Sequence, residues 1–139
     1  MNIDELKPGP ELDRLVAENV FGYKVFRWGD PDNLFVASSK SAFDYACNGD
    51  TLTCHTNMGK GFCFTMPNYS ADIAAAWLVF ERVFEIDPGR FRLGLSRDMF
   101  SGKYITILNT TMDRYDILAE TAPLAICLAA LKAVGVDKT

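Results

Sequence analysis

The sequence predicts an α+β fold, a layered α/β/α-type sandwich with a mostly antiparallel sheet and three main helices. Apolar residues recur at helical spacing in three separate segments, each opened by a capping residue or a proline. Between those segments lie short apolar runs bounded by Gly, Pro, Asn and Asp, the mark of strands joined by turns. These strands follow one another through hairpins rather than βαβ crossovers, which indicates antiparallel pairing with helices packed on the sheet.

The first helix follows the break Pro8-Gly9-Pro10, because a proline in a first turn has no amide donor to leave unpaired. Leu12, Leu15, Val16 and Val20 form its apolar stripe, and Asp13, Arg14, Glu18 and Asn19 are assigned to the solvent side. Gly22 is its C-terminal stop. From Tyr23 to Pro67 the pattern switches to β. Strands are predicted at Tyr23 to Trp28, Leu34 to Ala37, Phe43 to Cys47, Thr51 to His55 and Phe62 to Met66, with Asn48-Gly49 as a tight hairpin turn.

The second helix is predicted from a Ser70 cap, with Asp72 in its first turn. Ile73, Trp77, Phe80 and Phe84 form its stripe and Ala74, Ala75, Val79 and Val83 widen it, so the helix is expected to bury itself against a sheet. After Asp87-Pro88-Gly89 comes a hairpin, Phe91 to Leu95 and Tyr104 to Asn109 around the loop Arg97 to Gly102, then a strand from Tyr115 to Leu118. Thr121 caps the third helix, with Pro123 in its first turn, Leu124, Cys127, Leu128, Leu131 and Val134 along it, and Gly135 closing it.

The 139 residues are 49% hydrophobic and 23% charged, which suits one domain spanning 1–139 and excludes a disordered tail. No apolar run approaches the ~20 residues of a membrane span, so no membrane partner is expected. A net charge of −4 argues against binding duplex nucleic acid, which needs a concentrated basic surface. The N-terminal residues carry no export pattern, so a cytoplasmic protein with four reduced cysteines is expected.

Three stretches carry a family resemblance: Glu11 to Glu18, Pro67-Asn68-Tyr69-Ser70-Ala71-Asp72-Ile73-Ala74-Ala75-Ala76-Trp77, and Glu120-Thr121-Ala122-Pro123-Leu124-Ala125-Ile126-Cys127 through Leu131. Together they resemble the phage ABA-sandwich domain family of small phage and prophage proteins. The stretch from Tyr23 to Met66 is longer than expected between the first two. The resemblance implies a layered α/β/α fold and a phage or prophage origin, with no family-wide catalytic residue. That setting in turn implies action in the host cytosol against host defence, for example by sequestering a nucleotide signal as an oligomeric sponge.

Chemistry-bearing residues are few. Cys47, Cys54, His55 and Cys63 form the one Cys/His cluster, but their spacing lacks the close ligand pairs of a structural zinc site, and adjacent Cys54 and His55 on a strand face opposite ways. The same objection meets a Cys54–His55 nucleophile pair. No metal, cofactor or catalytic residue is therefore assigned. Gly59-Lys60-Gly61 is phosphate-like, because flanking glycines let backbone amides approach an anion that lysine attracts, although it is not a Walker loop. Arg27-Trp28, Arg90, Arg92, Arg97 and Arg114 place guanidinium groups near aromatic residues, a pairing that holds a phosphate while a ring stacks on a base. Tyr69 precedes a helix N-terminus, where free amides favour anions.

The expected ligand-binding set is thus Arg27, Trp28, Lys60, Tyr69 and Arg97, and the expected partner is a small anionic ligand, cyclic nucleotides among the candidates. A homo-oligomer is expected as well, since the last two helices are apolar around more of their circumference than one sheet contact uses. The alternative reading is an interaction module that binds a host protein or itself, and the third is a nucleotide-processing enzyme.

Overall fold

A computed structural model describes residues 3–29, 33–48, 51–52, 61–86, 92–109 and 114–135. After a 3-10 turn at Ile3–Glu5, the elements are α1 (Pro10–Asn19), β1 (Lys24–Trp28), β2 (Asn33–Ala37), α2 (Lys40–Ala46), β3 (Cys47–Asn48) and β4 (Thr51–Leu52). There follow β5 (Cys63–Thr65), α3 (Ile73–Ile86), β6 (Arg92–Arg97), β7 (Tyr104–Asn109), β8 (Arg114–Ala119) and α4 (Ala122–Ala133). These make an α+β sandwich with antiparallel sheets. The chain divides into two compact units: Gly22–Pro67 is one, and Met1–Phe21 joins Asn68–Thr139 in the other.

In the larger unit α4 is the central element. Every residue from Pro123 to Leu131 is buried, because the helix is apolar all round and is covered on more than one side. It packs against β7 and β8 and also against α3, α1 and the N-terminal turn. Thr121 caps it, accepting a hydrogen bond from Leu124 N at 3.3 Å. At the other end Gly135 takes φ +83°, the left-handed stop that only glycine adopts without strain. The meander β6-β7-β8 is antiparallel throughout, in a register that places Leu95, Thr106 and Ile117 in one row and Arg97, Tyr104 and Ala119 in the next. Thr106, Ile117 and Ala119 are buried on the face that α4 covers.

Three expectations for this unit are corrected. Asp13 is 3% exposed rather than on the solvent side. Its Oδ1 accepts from Ser70 N at 2.8 Å and Ser70 Oγ at 2.6 Å, and two charge-stabilising bonds make its burial tolerable. Ser70 therefore does not cap α3. Its hydroxyl donates to Asp13 and accepts from Gly9 N at 2.9 Å. Asp72 caps instead, accepting from Ala74 N at 3.1 Å. Finally, the buried face of α3 is Ala75, Ala76, Val79 and Val83, and it packs on α4 rather than on a sheet. Small residues win that face because they let two helix axes approach closely.

The smaller unit is built on the order β1-β2-β5, antiparallel at both joins. Its core is Phe35, Ala37, Ala42, Phe43, Ala46 and Cys63, with Phe26, Trp28 and Cys47 packed on the rim. Phe26 stacks on Phe43 at 4.4 Å. The predicted strand Phe43 to Cys47 is instead mostly α2. Ser39 Oγ accepts from Ala42 N at 3.1 Å, Lys40 pairs with Asp44 one turn on, and Ala42, Phe43 and Ala46 are buried at helical spacing. Asn48 is a strand residue paired with Thr51 rather than a turn residue. The distal part of the predicted Thr51 to His55 strand lies outside the described residues.

Gly61 sits at φ +96°, and a Cβ there meets the Ser38 side chain, whose oxygen accepts from Phe62 N at 3.0 Å. Gly61→Ala is expected to destabilise this unit by about 1–3 kcal/mol through the strained φ alone. Trp28 fluorescence during urea unfolding of a Trp77→Phe background reads this unit by itself; an unchanged midpoint refutes the claim.

Candidate functional site

The residues expected to bind a ligand occupy four different settings. Arg27 is exposed on β1 opposite Leu34. Trp28, its neighbour on the strand, points to the other face and is half-buried on the Phe35–Phe43 core. Lys60 lies outside the described residues, as do Cys54 and His55. Tyr69 is 1% exposed, with its ring stacked 5.2 Å from Phe21. Arg97, at the end of β6, is exposed; it donates from Nε to the Gly102 carbonyl at 3.4 Å and lies 6.0 Å from the Tyr104 ring centre. Arg27 and Trp28 belong to the smaller unit and Tyr69 and Arg97 to the larger.

Titratable groups are arranged for structure. Burial pushes the Asp13 carboxyl above the ordinary carboxylate range, and its hydrogen bonds from Ser70 pull part of the way back. Burial also raises the Cys127 thiol, helped by the charge of Asp13. Cys47 is raised by desolvation and then by Asp44. Cys47, Cys63 and Cys127 are free thiols. Among the described residues no three His, Cys, Asp or Glu side chains gather to hold a metal. None of the helices in the described residues is long and apolar enough to cross a membrane.

The surface feature that stands out is on α3. Trp77 stacks parallel on Phe80 at 5.0 Å, and Phe80 meets Phe84 at 5.3 Å. Ile73 and Trp77 remain 51% and 49% exposed. The four residues are the stripe read in the sequence, yet they flank the buried face rather than form it. Glu81 and Glu85 lie beside them, both exposed, while Arg82 is engaged with the Val20 carbonyl at 3.4 Å and with Glu85 at 3.3 Å. Sequence reasoning saw the spacing but not which side was covered, because a helix with two adjacent apolar arcs has no unique inward face.

A second feature escaped sequence reasoning. In the β6–β7 turn Met99 is 94% exposed and Phe100 fully so. Two large apolar residues between Asp98 and Ser101-Gly102 were the available signal.

Comparison with curated proteins yields no match. The chain is similar in fold to a phage protein from Bacillus cereus ATCC 14579 known from a crystal structure. They are 22% identical with a TM-score of 0.59, over 96% of this chain and 93% of that one. Neither that likeness nor the family match gives a catalytic signal. The phage ABA sandwich domain matches residues 14–131. That span runs from the middle of α1 through the smaller unit, α3 and the meander to nearly the end of α4, so the chain belongs to the phage ABA sandwich family.

Proposed function

We propose that this phage protein acts by binding another protein rather than by catalysis, with the aromatic stripe of α3 as the binding surface. The supporting observation is the Ile73–Trp77–Phe80–Phe84 row, its rings stacked along a helix, with Ile73 and Trp77 left half in water and Phe80 and Phe84 only partly buried. Aromatic anchors on a preordered element are the usual centre of a protein interface, because little entropy is lost when they are covered. The acidic rim of Glu81 and Glu85 suits a partner segment that is apolar along one side and basic at its edges. Affinity capture from host lysate tests this. Wild type retains a stoichiometric protein, and Trp77→Glu loses at least roughly tenfold of it while melting at the same temperature. Equal capture by both proteins sinks the proposal.

The second reading is sequestration of a small nucleotide-like anion, favoured by the exposed Arg27 and by Arg97 beside the Tyr104 ring. It requires that a cyclic or linear nucleotide raise the melting temperature of wild type and not of Arg27→Ala or Arg97→Ala. Absence of any shift up to about 1 mM ligand, where binding energy falls to roughly 4 kcal/mol, removes it.

A further inference from the structure

We propose that the β6–β7 turn of one copy seats in a cavity of a second copy, joining chains head to tail. The turn is a built projection rather than a loose loop. The Asp98 carboxylate accepts from Ser101 Oγ at 2.7 Å and from Phe100 N at 3.3 Å. Asp98 N donates to the Lys103 carbonyl at 2.8 Å, and Gly102 N donates to the Asp98 carbonyl at 2.9 Å. Ser101 Oγ also accepts from Lys103 N at 3.2 Å, and Gly102 supplies the left-handed residue at φ +74°. This network holds Met99 and Phe100 out in water at 94% and 100% exposure. Met and Phe are side chains enriched in interface cores, and a projection already ordered loses little freedom when it docks.

The larger unit also carries the matching recess. A cavity of about 390 Å³ is lined by Leu6, Pro8, Pro10 and Leu12, with Glu5 and Glu11 and a single lysine, Lys7, on its walls. That volume lies in the range of roughly 300–1,000 Å³ that holds compact ligands, and its proline walls are stiff. The charges agree. Arg97 and Lys103 flank the projection and the Asp98 carboxylate lies within it, occupied by Ser101 and Phe100 N, while among the described residues no carboxylate lies within ion-pair distance of Arg97. Lys103 reaches Glu120 at 3.2 Å. The recess presents two carboxylates against one ammonium, so the Arg97 guanidinium beside the apolar tip meets one surplus carboxylate at the socket.

Within one chain the tip is in water, so the pairing is made between copies. Because tip and socket are different surfaces, the contact is heterologous and propagates into rings or chains. It is independent of the α3 stripe, and Trp77→Glu should leave it intact.

Sedimentation velocity across a concentration series is the test. The weight-average mass of wild type should rise with concentration above the 15.5 kDa of one chain. Phe100→Ser lacks the tip and Pro8→Asp spoils the socket. Both substitutions are at exposed positions, and each variant alone should stay a monomer with an unchanged melting temperature. Mixed together, the two retain one good tip and one good socket, and should form a species of twice 15.5 kDa and nothing larger. Arg97→Glu should weaken the wild-type association at least tenfold, and pairing it with Glu11→Arg in the same chain should recover most of that loss. The proposal is overturned if wild type remains a monomer up to about 1 mM, if Phe100→Ser assembles like wild type, or if the mixture stays monomeric. Loss of host-protein capture by Trp77→Glu with assembly retained separates this contact from the function proposed above.

Discussion

Leu131→Ala is expected to cost about 2–5 kcal/mol of stability, the range for removing a fully buried leucine from a packed core. Leu131 is 0% exposed near the end of α4, the helix that contacts both the meander and the other helices of its unit. With a total stability of the order of 5–15 kcal/mol, a large share of the whole is at stake. The two tryptophans, Trp28 and Trp77, lie in different units, so a Trp28→Phe background lets Trp77 report on the larger unit alone. In that background the urea midpoint should fall with an unchanged slope. Leu131→Met, which nearly conserves volume, should cost less than about 1.5 kcal/mol. A loss below about 1 kcal/mol for the alanine variant contradicts the central role given to α4.

The second large effect is at Asp13. Asp13→Ala leaves the Ser70 amide and hydroxyl without their acceptor in a buried place, which costs about 2–4 kcal/mol. Asp13→Asn keeps an acceptor oxygen and removes a charge from the interior. Its effect depends on pH with a definite sign. Burial raises the native carboxyl above 3.8, its ordinary value, so the folded chain holds this proton more tightly than the unfolded one. The stabilisation linked to that proton is complete below the unfolded value and is lost as pH rises through the raised native value. Wild type should therefore lose ground to Asp13→Asn as pH climbs through that window, and the gap should be constant above it. Urea midpoints of both proteins from pH 3 to 7 measure the difference. A flat difference refutes the assignment.

The comparison of these two sites shows what the sequence could reveal. Leu131, Thr121, Pro123 and Gly135 announce α4 locally, through spacing, a cap and a stop within one short stretch of chain. The alternating strands of the meander are equally local, and β6, β7 and β8 lie where their patterns place them. Asp13 is different. Its pattern position is solvent-facing, and what overrides it is Ser70, 57 residues away in the chain. The cap of α3 went to Asp72 for the same reason, since the Ser70 hydroxyl is already committed at long range. At α2 the failure was of length. Phe43 to Cys47 is too short for period to distinguish helix from strand, and only the Ser39 cap settles it.

The site was legible to a lesser degree. An arginine next to a ring in the chain, as at Arg27-Trp28, is legible locally, whereas Arg97 meets Tyr104 only through the register of β6 and β7. Whether separate cations converge depends on the fold, and Tyr69 shows the hazard, an aromatic residue that the core claimed. The α3 stripe was visible as a period, but its exposure was not.

The two-segment makeup of the larger unit has a consequence for how the chain comes to be folded. Helix α1 lies in the first segment and its packing partner α4 in the second, with Gly22–Pro67 between the segments. During synthesis α1 leaves the ribosome roughly a hundred residues before α4, at about 5–20 residues per second, and so waits several seconds with Leu12 and Val16 unburied. Closing so long a loop adds little to its entropic cost, since each doubling adds only about 0.6 kcal/mol, so the delay lies in waiting for α4 to be made. The smaller unit has all its strands in one continuous stretch and is free to fold in that interval. The ten-residue helix α1 is thus secured only once α4 has been made.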